Sequence, residues 1–304
     1  MSEVQSLAGT VVVGVDGSRS ARQALQWAAL WAAAAQLPVT AVAALGNRPE
    51  VPSADPGPSG DPGPSADFGD EVRRMVEREI AAVKQTSPGV RLEYRGVWGE
   101  ADTALIEASR YAEMLVVGTR GLGGWRGVLL GGVSDKVTSG ARGTVVVVPP
   151  HGKLAVCGDE PVTLAVADPA TAGPSLTFAV AAARTFSVPL QLVHAWQVDR
   201  RSAVLGTSWG ARRVRAARLR AQHRLDEVAR MARELAGSAQ GPTMSSRLVE
   251  ATAAHALVQA SEESCLVVTG TRGRAGWSGL LLGSRSRELA QEAACPVAIV
   301  RERD

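Results

Sequence analysis

The stretch Leu115-Val116-Val117-Gly118-Thr119-Arg120-Gly121, followed after nine residues by Gly131-Gly132, decides the fold of this chain. An apolar run that ends in valines and breaks into glycines reads as a buried strand feeding a tight loop, with a helix to follow. Such a strand, Gly-rich loop and helix start gather backbone N–H groups around a phosphate. The whole unit recurs 152 residues on. Leu266-Val267-Val268-Thr269-Gly270-Thr271-Arg272-Gly273 is followed, after nine residues, by Gly283-Ser284. Duplication at this scale implies two similar domains, 1–150 and 151–304, and two nucleotide sites. It excludes a solenoid, whose period would be about 20–50 residues.

Outward from the glycines the repeat continues. Thr10 to Asp16 matches Val162 to Asp168, Trp125 matches Trp277, Ser134 matches Ser286, and Val145–Val148 matches Val297–Val300. Pro38 matches Pro189 one residue out of step. In the first half, strands are expected over 10–15, 39–45, 90–98, 114–117 and 144–148. Helices are expected over 19–36, 69–86, 101–111 and 134–141. Val72, Val76, Ile80 and Val83 have helical spacing. Strands that are apolar throughout and alternate with helices mean a parallel sheet covered on both faces, an α/β, Rossmann-type fold in each domain. Ligands of such sheets sit at the carboxyl ends of the strands, where Asp16, Asp168 and both Gly motifs fall.

Composition narrows the class. Apolar residues make up 45% of the 304, which suits globular domains that each bury a core. No window reads as a membrane span and the first residues do not read as a secretory signal. Cys157, Cys265 and Cys295 are too dispersed for a disulfide framework or a zinc site, and a cytoplasmic protein is expected. The net charge of +3 is too small to indicate a nucleic-acid partner. Residues 46–66 are of low complexity, rich in Pro, Gly and Ser, and read as a solvated loop. Pro149 to Gly152 reads as a linker. Residues 209–237 form the longest helical stretch, with Val214, Ala221, Leu225, Val228, Ala232 and Leu235 as its apolar stripe. Six arginines between Arg212 and Arg224 read as a solvated face, because no aromatic platform accompanies them.

Several residue types then carry chemistry. Gly118 and Gly121, with Gly270 and Gly273, are expected to turn the chain through φ values other residues avoid, and to leave no Cβ before a phosphate. Gly131 and Gly283 stand before helices whose free N–H groups favour an anion. Ser134, Ser284 and Ser286 are candidate hydroxyl donors, and Arg120, Arg272 and Arg285 candidate cations. Asp16 and Asp168 can accept from a ribose hydroxyl or hold a metal bound to phosphates. The pattern is neither a Walker A nor a dinucleotide fingerprint. His194 is expected to be a satisfied core or rim histidine rather than a catalyst. Trp125 and Trp277 read as loop packing or partner contact.

In combination these motifs resemble the universal stress proteins. The likeness rests on Gly-x2-Gly-x9-Gly followed by Ser or Thr, a first strand ending in Asp, and a closing Cys295-Pro296-Val297-Ala298-Ile299-Val300. It covers nearly all of both halves, so the chain looks like a tandem member. The resemblance implies two five-stranded parallel sheets sandwiched by helices, of the adenine nucleotide alpha-hydrolase-like type. It implies ATP binding, with magnesium where phosphates are held, and a role in stress response or growth control. It also implies self-association through the last strands, 145–148 and 297–300. Backbone at Ala44 and Ala195 would meet adenine, and Gly14, Asp16 and Asp168 would lie at the ribose side. Gly118, Gly121, Gly131, Gly270, Gly273, Gly283 and Ser284 would line the phosphates. Val133 and Ser134, with Arg285 and Ser286, would follow at the helix start.

Two departures set the halves apart. Gly132 stands where the family has Ser or Thr, which removes a hydroxyl from the first site. Pro169 follows Asp168 where Gly17 follows Asp16, holding Asp168 in extended backbone. The second half is therefore expected to be the stronger site. The expected activity is binding, with at most slow ATP hydrolysis. A nucleotide-dependent enzyme on this fold, such as an ATPase or nucleotidyl transferase, and a scaffold with vestigial sites are the alternatives.

Overall fold

The computed structural model describes residues 7–46, 64–119, 131–150, 158–198, 208–237, 241–271 and 289–301. The chain divides into two compact units, one before and one after the Pro150-His151 bond.

The first unit runs β1 (Val11–Gly14), α1 (Arg19–Ala35), β2 (Val39–Ala44), α2 (Pro64–Thr86), β3 (Leu92–Val97), α3 (Ala101–Ala108), β4 (Met114–Gly118), α4 (Gly132–Gly140) and β5 (Val145–Val148). Its strands lie in the order β3-β2-β1-β4-β5, and each neighbouring pair is parallel. The second unit repeats this as β6 (Val162–Ala165), a short 3-10 turn (Pro169–Thr171), α5 (Gly173–Thr185), β7 (Leu190–Trp196), α6 (Ser208–Ala236), β8 (Met244–Glu250), α7 (Ala253–Glu262), β9 (Leu266–Gly270) and β10 (Val297–Val300). The order there is β8-β7-β6-β9-β10, again parallel at each step. Each unit thus contains the expected five-stranded parallel sheet with helices.

The valine runs explain the sheets. Val11, Val12 and Val13 are wholly buried, as are Val145, Val146 and Val147. A strand so placed has both faces covered and no polar alternation. Helix α1 starts because Ser18 accepts the Ala21 N–H, at 3.1 Å, in an extended cap conformation. It stops at Gln36, a left-handed residue, two positions before Pro38. Trp27 and Trp31 lie one turn apart on its buried face, ring centres 5.3 Å apart.

Three expectations change. Helix α2 begins at Pro64, so the end of the low-complexity segment is helical; proline is well suited to a first helical position. The rest of that segment, from 47 to 63, lies outside the described residues. On α6 the apolar stripe holds at Ala221, Leu225, Val228 and Ala232, but Leu235 is exposed and Ala236 is buried in its place. Cys265 is disulfide-bonded, against the expectation that the cysteines are too dispersed for a disulfide framework, whereas Cys295 is a buried thiol. Among the described residues no helix is long and apolar enough to cross a membrane.

Candidate functional site

The strand order of each unit reverses between two neighbours: β1 and β4 in the first, β6 and β9 in the second. Chains leaving these strands turn to opposite sides and leave a crevice at their carboxyl ends. Asp16 and Gly118 flank that crevice in the first unit, Asp168 and Gly270 in the second.

In the first unit one oxygen of Asp16 accepts the Ser18 N–H at 2.9 Å. Gly17 between them has φ +81, and a Cβ there would run into the sulfur of Met75 from α2. Gly14 closes β1 beneath Leu105 of α3; a Cβ would come within 2.8 Å of Leu105 Cδ1. Ala44 ends β2, half-buried and paired with Val97 of β3. Beyond Gly118 the two ends of the Gly-loop meet, since the Gly131 N–H donates to Thr119 O at 2.7 Å. Gly131 then caps α4 in extended conformation with no side-chain hydrogen bond. The first N–H groups of that helix, at Gly132, Val133 and Ser134, are therefore not satisfied by a cap. Val133 is exposed beside them.

Two proposed roles are corrected by this geometry. The Ser134 hydroxyl donates to Gly118 O at 2.6 Å and ties the helix to the strand, so its single proton is not available to a phosphate. Neither Gly118 nor Gly270 has a positive φ. Gly118 is required by close packing instead: a Cβ would lie 2.7 Å from the backbone C and O of Ser20 on α1. Among the described residues, a Cβ at Gly270 would meet only Ser175, at 3.5 Å from Oγ and 3.7 Å from Cβ.

The second unit holds a cavity of about 360 Å³ at the carboxyl ends of β6, β7 and β9. Its wall includes Asp168, His194, Ala195, Trp196, Thr269 and Gly270 from the sheet side, and Arg220 and Arg224 from α6. Asp168 is extended, with φ −132 and ψ 129, as Pro169 requires. One of its oxygens accepts the Ala170 N–H at 3.1 Å. His194 is 6% exposed, and its Nδ1 lies 2.6 Å from Val166 O. Burial lowers its pKa most; the bond to Val166 opposes this and the charge of Arg224 adds to it. The ring is therefore held neutral.

Sequence reading brought Asp16, Ala44, Gly118 and Gly131–Ser134 to one end of the first sheet, and Asp168, Ala195 and Gly270 to the same end of the second. Arg120, Gly121, Arg272, Gly273, Gly283, Ser284, Arg285 and Ser286 lie outside the described residues, as do Trp125 and Trp277. What it missed is the part played by α6. Arg220 and Arg224, one helical turn apart, line the cavity; Arg224 is half-buried, while Arg220 stays exposed like Arg212, Arg213, Arg215 and Arg218. The signal was available in the i, i+4 spacing of the two arginines, beside the buried positions Ala221 and Leu225.

The universal stress protein family, as a sequence profile, matches residues 8–149 and again 160–301. The chain belongs to that family. Universal stress protein Rv2623 of Mycobacterium tuberculosis H37Rv is 32% identical over 311 residues, covering 96% of each chain. Universal stress protein Rv2005c of the same organism is 30% identical over 305 residues, covering 96% of this chain and 97% of its own. The crystal structure of a universal stress protein from Archaeoglobus fulgidus DSM 4304 shares the fold at a TM-score of 0.64. That likeness spans 97% of this chain and 98% of the other, at 16% identity.

Proposed function

We propose that the chain is an ATP-binding regulator of stress response or growth, with one adenine-nucleotide site at the switch point of each unit. The observation that carries this reading is an aspartate just past the first strand facing a glycine-ended strand in each unit, Asp16 two residues past β1 with Gly118 and Asp168 three residues past β6 with Gly270. The second-unit cavity, about 360 Å³, falls in the size range of small-ligand sites and supports the fit. Asp16 and Asp168 would hold the ribose, or a magnesium ion on the phosphates. The strand ends at Gly118 and Gly270 would receive phosphate, together with the uncapped N–H groups of Gly132, Val133 and Ser134 in the first unit. Bound ATP would supply anionic phosphates for those amides to grip, and through them an ordered loop as the regulatory signal.

The second unit is the stronger site in this reading. Met75 packs against Gly17 beside Asp16, whereas Arg220 and Arg224 line the space beside Asp168. Turnover is at most slow, the protein is cytoplasmic, and it works as a self-associating species. Calorimetric titration with ATP, with and without magnesium, tests the reading, and native mass spectrometry adds nucleotide and subunit counts. No heat of binding at millimolar ATP removes it. Fast phosphate release that vanishes in Asp168→Ala, in protein that still binds, would replace it with an enzymatic reading.

A further inference from the structure

Among the described residues, His194 has one ring nitrogen bound to the protein and the other without a protein partner. A carbonyl oxygen can only accept, so the 2.6 Å contact with Val166 O means that Nδ1 carries the proton. In a neutral ring Nε2 is then a bare acceptor. Burial and the nearby Arg224 charge keep the ring in that state. Among the described residues Nε2 has no hydrogen-bond partner, and it is not among the side-chain atoms sealed from solvent. His194 lines the cavity, so that acceptor opens into it.

Strand order says what would meet it. The cavity crosses three neighbouring strand ends in sequence: Gly270 on β9, then Asp168 beyond β6, then His194 on β7. Adjacent strands lie about 4.8 Å apart, so the end of β9 at Gly270 and the end of β7 are separated by roughly 10 Å. That is comparable with the reach of a nucleotide from phosphate to base. A nucleotide with phosphate at Gly270 and ribose at Asp168 would thus lay its base over the end of β7. Among the described residues of the first unit, the corresponding position carries no such acceptor. Val42 O and Val193 O accept the N–H groups of Val15 and Val166, a register one residue out of step with the match of Thr10–Asp16 to Val162–Asp168, so His194 corresponds to Ala43.

We propose that His194 is the base-reading residue of the second site, its Nε2 accepting a hydrogen from the exocyclic amine of adenine and rejecting purines with a carbonyl at that position. This inference rests on the nucleotide reading above and goes beyond it by naming the discriminating atom. A buried acceptor left unmet, or faced by another acceptor, costs enough for about tenfold discrimination.

The test is titration of the full chain with ATP and with ITP, fitted to two sites, for wild type, His194→Asn and His194→Gln. Asparagine places an N–H where Nδ1 was and keeps the bond to Val166 O, but has no atom at Nε2. Glutamine reaches the Nε2 position with an acceptor. At one of the two sites, wild type is expected to favour ATP about tenfold, H194N to lose that ratio, and H194Q to retain most of it. Equal affinity of wild type for the two nucleotides, or an unchanged ratio in H194N, overturns the proposal while leaving nucleotide binding intact. No binding of either nucleotide overturns both. Should H194N not fold, imidazole nitrogen NMR of the wild type decides: ATP must move the His194 Nε2 resonance and ITP must not, and its failure to move with ATP overturns the proposal.

Discussion

Adding one methyl group at Gly118 and at Gly270 should have opposite outcomes, although the two glycines occupy the same place in the repeat. At Gly118 the new Cβ would collide with Ser20 Oγ and lie 2.7 Å from the backbone C and O of the same residue. A side-chain oxygen can rotate away, but the first turn of α1 cannot, being capped by Ser18 and buried at Ser20. Overpacking against backbone puts the cost at the upper end of the usual 1–3 kcal/mol, about 3 kcal/mol. For a unit of this size that lowers the melting point by about 6–12 °C. At Gly270 the nearest atom is Ser175 Oγ at 3.5 Å, ordinary contact, and φ is not left-handed. Gly270→Ala should therefore be neutral or stabilise by up to about 1 kcal/mol through the unfolded chain. Hydrogen exchange followed by mass spectrometry resolves the two units in one sample, with peptides over β4 and β9 reporting separately. Ser20→Ala added to Gly118→Ala should restore only part of the loss, because the backbone contacts remain. Equal loss of protection at β4 and β9, or a G118A protein that melts with the wild type, refutes the steric account.

Glu79 is buried beside Arg22, at 3.4 Å, and burial raises its pKa despite that partner. A raised carboxyl pKa means its contribution is fully present below the unfolded value, near 4.5, and is lost as pH rises through the folded one. Glu79→Gln should therefore stabilise the first unit at pH 7.5 relative to wild type, with the gap closing towards pH 4.5 in urea titrations. Ser134→Ala removes the bond to Gly118 O and should cost about 1 kcal/mol of first-unit stability in the same assay, without abolishing ATP binding. Asp168→Ala should weaken ATP binding more than Asp16→Ala does, by calorimetry, because the second unit carries the arginine-lined cavity. Equal losses would contradict the asymmetry.

The sheet was legible because valine runs such as Val145–Val148 allow little but a strand buried on both faces, and the repeat doubled every signal. The carboxyl-end position of Asp16, Asp168 and the glycines followed from strand direction alone. What periodicity could not give was the identity of neighbours across the fold. Gly118 looked like a turn residue and is a close-packing one, because Ser20 is distant in sequence and near in space. The proton of Ser134 is committed to a carbonyl sixteen residues back, which spacing does not reveal. Arg224 looked like the other arginines of α6, but the helix packs beside β7 and half-buries it at the cavity. Leu235 fits the helical spacing, but the buried stripe of α6 steps by four from Ala232 to Ala236 and leaves Leu235 on its exposed flank.

The hydrogen bond from Gly131 N–H to Thr119 O clasps at one point the two ends of the chain excursion between them. Doubling the length of such an excursion adds only about 0.6 kcal/mol of closure entropy. A small fluorescent or affinity module spliced there should leave the framework standing. It would sit at the mouth where ligand is expected, which makes this one clasp a convenient attachment point for turning the protein into its own reporter.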